Sequence, residues 1–315
     1  MTERTVKSFA PATISNLGPG FDILGVAIHS PGDVVIAKRR REPGLLFRLQ
    51  TEQAQVPGNA RKNVAAYVAR LIVKEMKPPF GIDLELQKSM PIGSGLGSSA
   101  ASGVAAAIAV NALLPKPLAR RDLLSFALEG ERFACGAVHA DNVAPSLLGG
   151  AQLIRSYSPL DVIHVPVHRS LVWVVVHPHL VVLTKKARAL LPHRVPLKSA
   201  VRQSGNVAGL ILGLTTGDEA VLGRSVEDVI VEPVRAKMLP GFPEVKDAAL
   251  RSGALGCSIS GSGPSVFAIA SSLHQAGSIS RAMTKAFSRA AGVACDVFIS
   301  RTNNEGARIV WRKDS

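Results

Sequence analysis

The chain has 315 residues, 47% of them hydrophobic and 19% charged, which supplies a large packed core and excludes wholesale disorder. Lys and Arg number 37 against 23 Asp and Glu, a formal +14 that suits either a nucleic-acid partner or an anionic small substrate. The densest cationic cluster, Lys38-Arg39-Arg40-Arg41, is short and lacks interleaved aromatics, so it reads as a solvated turn capping a hairpin rather than a nucleic-acid surface.

In chain order, Thr5 to Phe9 reads as a strand that opens into an irregular loop from Ala10 to Gly20. Ile23 to Ile28 and Val34 to Lys38 are strands around a turn at Ser30-Pro31-Gly32-Asp33, and Leu45 to Leu49 is another. From Asn63 to Met76 the residues Val64, Tyr67, Val68, Leu71 and Ile72 recur at intervals of three and four, which predicts a helix. Ile82, Leu84 and Leu86 alternate with Asp83, Glu85 and Gln87, the pattern of a half-buried strand. Ser99 to Leu114 is rich in Ala and Val without a polar stripe, so it predicts a helix buried on every side. Leu118 to Phe133 is a further helix, followed by a polar segment at His139 to Asn142 and the pair Gly149-Gly150.

Near residue 165 the pattern starts afresh, which sets expected domains at 1–165 and 166–315. Leu171 to Val176 is a β-branched run that predicts a buried strand, far short of the ~20 residues of a membrane helix. Helices are expected over Lys185 to Leu190, Lys198 to Leu214 and Leu273 to Ala291. Before the last of these, Ala254 to Ala270 reads as strand, Gly/Ser turn and strand. Strands and helices mix without a steady βαβ period, so the fold class is α+β. Cys135, Cys257 and Cys295 are odd in number, far apart and form no CxxC pair. They support neither a disulfide framework nor a zinc site, and each reads as a small buried hydrophobe. With no apolar stretch of signal-peptide length at Met1 to Thr5, a reduced, cytoplasmic setting is expected.

The segment richest in chemistry is Pro91-Ile92-Gly93-Ser94-Gly95-Leu96-Gly97-Ser98-Ser99-Ala100-Ala101, which leads into the buried helix. Glycines permit positive φ and let a phosphate approach bare amides, while a helix N-terminus adds unpaired N–H donors and a partial positive charge. A polyphosphate is therefore a natural occupant. No Lys follows the last glycine, so the GxxxxGK phosphate loop is absent, and Lys88-Ser89-Met90-Pro91 separates the loop from the preceding strand, unlike a dinucleotide fold. The alternative is a Gly/Ser turn with Ser98 as N-cap.

This segment resembles the second motif of the GHMP kinases, the galactokinase, homoserine kinase, mevalonate kinase and phosphomevalonate kinase group. Two further blocks agree in the family's order: Ala10 to Asp22, which includes Asn16-Leu17-Gly18-Pro19-Gly20-Phe21-Asp22, and Ser258 to Ser265, which includes Ser260-Gly261-Ser262-Gly263-Pro264. Sugar and mevalonate kinases usually carry Gly-Lys where this chain has Ala12-Thr13. The first block and His139 to Pro145 are similar to the homoserine kinase branch.

The resemblance implies a two-domain fold, an N-terminal domain with a left-handed βαβ unit and a C-terminal domain of ferredoxin-like shape, with ATP and substrate in the cleft between. It implies ATP-dependent phosphorylation of the L-homoserine hydroxyl on the route to threonine, with Mg2+, in a homodimer without nucleic-acid or membrane partners. The loop from Pro91 to Ala101 and Asn63 would meet ATP, and Ser99 and Glu131 would hold Mg2+. Arg188 and Arg235 match the positions of a carboxylate clamp, for which the planar guanidinium is suited. Asn16, Asp22, His139, Asn142 and Thr184 fall on substrate-lining positions. Asp141, beside Asn142, lies where mevalonate kinase-like members place a catalytic Asp, and the hydroxyl proton goes either to Asp141 or to the phosphate itself.

Overall fold

The computed structural model describes residues 4–53 and 56–314. The N-terminal half opens with strands β1 (Arg4–Ser15) and β2 (Leu24–Arg40). Both are longer than their patterns suggest. β1 does not open into a loop at Ala10, because Thr13, Ile14 and Ser15 face Ala27, Val26 and Gly25 of β2. Nor does Ser30-Pro31-Gly32-Asp33 make a hairpin turn. Pro11 pairs with Gly32 and Thr13 with Ala27, so Ile28 to Pro31 bulge out opposite Ala12 while β2 continues along the same neighbour.

Next come β3 (Leu45–Gln50), α1 (Val64–Met76) and β4 (Gly81–Gln87). β3 lies parallel to β4 and β4 antiparallel to β2, so β3–α1–β4 is a βαβ unit. The cationic cluster therefore caps no hairpin: β4 separates the two strands it joins in sequence. The Arg39 side chain instead stacks on Phe80 at 4.4 Å and its Nε donates to Leu113 O at 3.1 Å, and Arg40 pairs with Glu42 at 2.9 Å.

Helices α2 (Ser98–Leu113), α3 (Leu123–Cys135) and α4 (Ala140–Leu148) follow, then β5 (Ala151–Tyr157) and β6 (Leu160–Val165). α2 is buried around its circumference, as its sequence requires, and packs on β1, β2, α1, α3 and α4. The segment read only as polar starts a helix, because Ala140, Val143, Ala144 and Leu147 form an apolar face at three- and four-residue spacing.

The C-terminal half contains β7 (Val172–Pro178), α5 (Thr184–Ala189), α6 (Leu197–Thr216), α7 (Glu219–Ser225), α8 (Glu232–Arg235) and α9 (Phe242–Arg251). It ends with β8 (Gly256–Ile259), β9 (Val266–Ala270), α10 (Leu273–Ala291), β10 (Cys295–Ser300) and β11 (Arg308–Asp314). Its four-stranded sheet has the order β10-β7-β9-β8 with every neighbour antiparallel. That is fourth, first, third and second in chain order, the ferredoxin-like arrangement, with α9 and α10 packed on the sheet. β11 crosses back and extends the first sheet beside β1, giving β11-β1-β2-β4-β3 with β5 and β6 branching from β2. Among the described residues no helix is long and apolar enough to cross a membrane.

One close approach sets the position of α4. A β-carbon on Gly25 of β2 would lie 1.7 Å from the Asp141 carbonyl oxygen. Backbone cannot yield as a side-chain tip does, so Gly25→Ala is expected to push α4 off the sheet at a cost of about 1–3 kcal/mol or more. A thermal melt of the variant checks this, with a clear drop in Tm as the expected outcome.

Candidate active site

A cavity of about 910 Å3 lies between the two halves, with the glycine loop along one side. Gly93, Gly95 and Gly97 all have positive φ (64°, 77° and 68°). At two of them the surroundings also forbid a side chain. A β-carbon on Gly95 would meet Ser260 O at 2.4 Å, and one on Gly97 would meet Thr13 Oγ1 at 2.3 Å. Thr13 N donates to Leu96 O at 3.1 Å, Ser265 N to Ser94 O at 3.1 Å, Ser260 Oγ to Gly95 O at 2.7 Å and Gly261 N to Ser15 O at 3.1 Å. The three motif blocks are thus one hydrogen-bonded unit.

Gly97, not Ser98, is the N-cap of α2, and no side chain caps that terminus. The first-turn donors remain available to a ligand. Ile92 to Gly95 and Gly97 to Ser99 line the cavity, whereas Pro91 stands outside it. Leu96, Ala100 and Ala101 were expected beside the nucleotide but are buried in the hydrophobic core, where they seat the loop without touching the cavity. Asn63 lines the cavity, yet its amide is engaged: Oδ1 caps α1 at Ala65 N (3.0 Å) and Nδ2 donates to Pro57 O (3.0 Å).

Beneath α2 lies a pair that sequence reasoning missed. Buried Lys88 donates to the Asp33 carboxylate, to Ser98 O at 2.8 Å and to Ser102 Oγ at 3.0 Å. Asp33 in turn accepts from Ser89 N and Met90 N at 3.2 and 3.1 Å. Burial lowers the Lys88 pKa while the Asp33 charge opposes the shift, and the ammonium ties the β4–loop junction to the start of α2.

On the helix side, Ser99 Oγ donates to Glu131 Oε2 at 2.7 Å. Arg132 does not compete for Glu131, because it pairs with Glu129 at 3.4 Å. His139 Nδ1 lies 3.4 Å from Glu131 Oε1. Burial opposes the charged imidazole, yet the Glu131 bond and the charges of Asp141, Glu131 and Asp22 together raise its pKa. Asn142 Oδ1 accepts from Thr13 Oγ1 at 2.8 Å, and Asp141 meets Asn142 Nδ2 at 3.5 Å. Burial, then the neighbouring Asp22 charge, push the Asp141 carboxyl up to about 7, with His139 opposing and Glu131 adding.

Two arginines also line the cavity. Asn16 and Asp22 both hold positive φ, and Asn16 bridges Asp22 N (3.3 Å) to Gly261 O (3.2 Å). Asp22 pairs with Arg188. Arg235 donates to Gly261 O, and Phe21, absent from the sequence-based site, stacks under both guanidiniums at 5.3 and 5.1 Å. The buried Nε atoms of Arg188 and Arg235 have no protein partner. Thr184 Oγ1 lies 3.3 Å from Ser262 Oγ. α8, which carries Arg235, is anchored by Asp228, whose carboxylate accepts from the N–H groups of Ile230, Val231 and Glu232 at 2.9 Å each and from Gln203 Nε2 at 2.9 Å. Gln203 Nε2 also donates to Pro19 O at 2.9 Å, joining the clamp to the first motif. No local pattern announces that link, since its members lie far apart in the chain.

Comparison with known proteins gives the family. The family model for the GHMP kinases N terminal domain matches residues 63–150, and that for GHMP kinases C terminal matches 210–289. A homoserine kinase of Chlorobium phaeobacteroides (strain BS1) is 46% identical over 319 residues, covering 98% of this chain and all of that protein. The crystal structure of homoserine kinase from Cytophaga hutchinsonii superposes with a TM-score of 0.94 at 46% identity over 97% of both chains. The chain belongs to the homoserine kinase branch of the GHMP kinases. L. major mevalonate kinase, with a TM-score of 0.73 at 17% identity, shares the fold. As a GHMP kinase the chain is a phosphotransferase, and its glycine loop and arginine pair line one cavity.

Proposed function

We propose that the protein transfers the γ-phosphoryl group of ATP to the side-chain hydroxyl of L-homoserine, with Mg2+, in the cytoplasm as a homodimer. The residue ranges 1–165 and 166–315 are read as its two domains, with β11 crossing back. One observation carries the reading: the bare amides of Gly93 to Ser99, suited to phosphates, and the Arg188–Arg235 pair, suited to a carboxylate, line the same cavity. The partial charge of the α2 N-terminus and the loop amides hold the triphosphate without a phosphate-loop lysine. Lys88 does not serve as one, because Asp33, Ser98 and Ser102 take its donors.

The oxygens of Ser99 and Glu131, 2.7 Å apart, are hard donors that fit magnesium, which keeps several waters and takes few protein ligands. When bound, the ion neutralises charge on the phosphates. The substrate carboxylate lies between Arg188 and Arg235, whose unpartnered Nε atoms point to an acceptor there. Asp22 is shared with Arg188, while Asp141 is a buried carboxyl without an arginine partner, and the repulsion of Asp22 makes the pair complementary to an ammonium. Asp141 therefore orients the amino acid, Asn142 and Thr13 fix its neighbour, and the departing hydroxyl proton passes to the transferring phosphoryl group.

The direct test supplies ATP, magnesium and one alcohol at a time. Detection by 31P resonance is expected to give O-phosphohomoserine with L-homoserine; activity confined to mevalonate, a diphosphocytidyl erythritol or a sugar would overturn the substrate assignment. Because the Asp141 carboxyl sits at about 7 in the free protein and acts when ionised, kcat/KM is expected to rise with pH to a plateau above that value. In Asp141→Asn that limb disappears, KM for the amino acid rises and turnover stays measurable. A fall of ~10²–10⁴-fold in kcat with unchanged affinities would make Asp141 the general base instead.

A further inference from the structure

Cys135 has no task in the phosphotransfer just described, yet its sulfur stands 3.8 Å from Ser99 Oγ, beside the oxygens read as magnesium ligands. The donor atoms of Glu131, Cys135 and His139 all lie within 4.8 Å of one another. Glu131 and Cys135 are one turn apart at the end of α3, on the same face. Gly136, at φ 75°, then turns the chain so that His139, the N-cap of α4, comes back over them. Helix geometry and a glycine reversal together build the cluster, which is why no CxxC-type spacing reveals it.

Two of the separations already match those round a tetrahedral ion. Zinc bonds of about 2.0–2.3 Å to O, N and S place neighbouring donors roughly 3.3–3.8 Å apart. The His139 Nδ1 to Glu131 Oε1 separation is 3.4 Å and the Cys135 Sγ to Ser99 Oγ separation is 3.8 Å. A sulfur and an imidazole nitrogen are poor ligands for magnesium and good ones for zinc, so the donor set distinguishes the two ions. The Cys135 thiol loses its proton to solvent when the sulfur binds an ion as thiolate, which zinc promotes and magnesium does not.

We propose that Glu131, Cys135 and His139 form a binding site for a thiophilic divalent cation of the zinc class, with Ser99 or water as the fourth ligand. The site shares Ser99 and Glu131 with the magnesium position, so an ion held there blocks phosphotransfer. The inhibitory half rests on the kinase reading above; the binding half does not.

Cobalt(II), a spectroscopic stand-in for zinc, is added to the nucleotide-free protein. The expected result is a thiolate-to-cobalt charge-transfer band with tetrahedral d–d absorption, abolished by one equivalent of zinc. In Cys135→Ser, and in Cys135→Ala as a second variant, the band is absent. Calorimetry is expected to show zinc affinity lowered by at least about tenfold. Both variants keep magnesium-dependent turnover and lose zinc inhibition. A wild-type protein without the band, or variants that bind zinc as tightly as wild type, would overturn the site. A cobalt band in a protein that phosphorylates no alcohol would leave the site standing and sink the kinase reading alone.

Discussion

The structure depends on a contact that only glycine allows. At Gly95 the backbone of the third motif presses against the loop from one side, and at Gly97 Thr13 and Asn142 press from the other. With a β-carbon at either place the three motif blocks would separate, and the N-terminus of α2 would no longer face the cavity. The loop has no freedom to close on itself, since Thr13, Ser260 and Ser265 already hold its backbone. α2 is rigid for a second reason: its Ala- and Val-rich surface is packed on every side, and Lys88 locks its first turn to Asp33. Donors fixed before the ligand arrives need no reorganisation when charge develops on the phosphates.

The same frame gathers opposite charges in one cavity. Amides and a helix terminus, guanidiniums stacked on Phe21, and the carboxyls of Glu131, Asp141 and Asp22 all line it. Each carboxyl has a different neighbour: a hydroxyl for Glu131, an arginine for Asp22, and no cation of comparable strength for Asp141.

Much of this was readable in the sequence. Local signals carried the glycine loop, the buried helix behind it and the β8–β9 hairpin, whereas Arg188 and Arg235 were picked out by the family resemblance alone. The failures share a physical cause, which is that pairing between distant segments overrode local pattern. Ser30-Pro31-Gly32-Asp33 has the composition of a turn, but β1 pairs on both sides of it and makes it a bulge. His139 to Asn142 looks polar, while the apolar face that makes α4 a helix is spread across the following turns. Lys88 and Asp33, Gln203 and Asp228, and the Glu131–Cys135–His139 cluster join residues whose proximity only the fold creates. Leu96, Ala100 and Ala101 belong to the glycine-loop motif, yet some positions of that motif must face the core to hold the rest in place.

The central claim is that peptide N–H groups, not a lysine, receive the phosphates. A crystal structure with magnesium and a non-hydrolysable ATP analogue tests it most directly. The account predicts phosphate oxygens within hydrogen-bond distance of the amides between Gly93 and Ser99, with the Lys88 ammonium still bound to Asp33. Phosphates held elsewhere in the cavity, or Lys88 swung out to meet them, would contradict it.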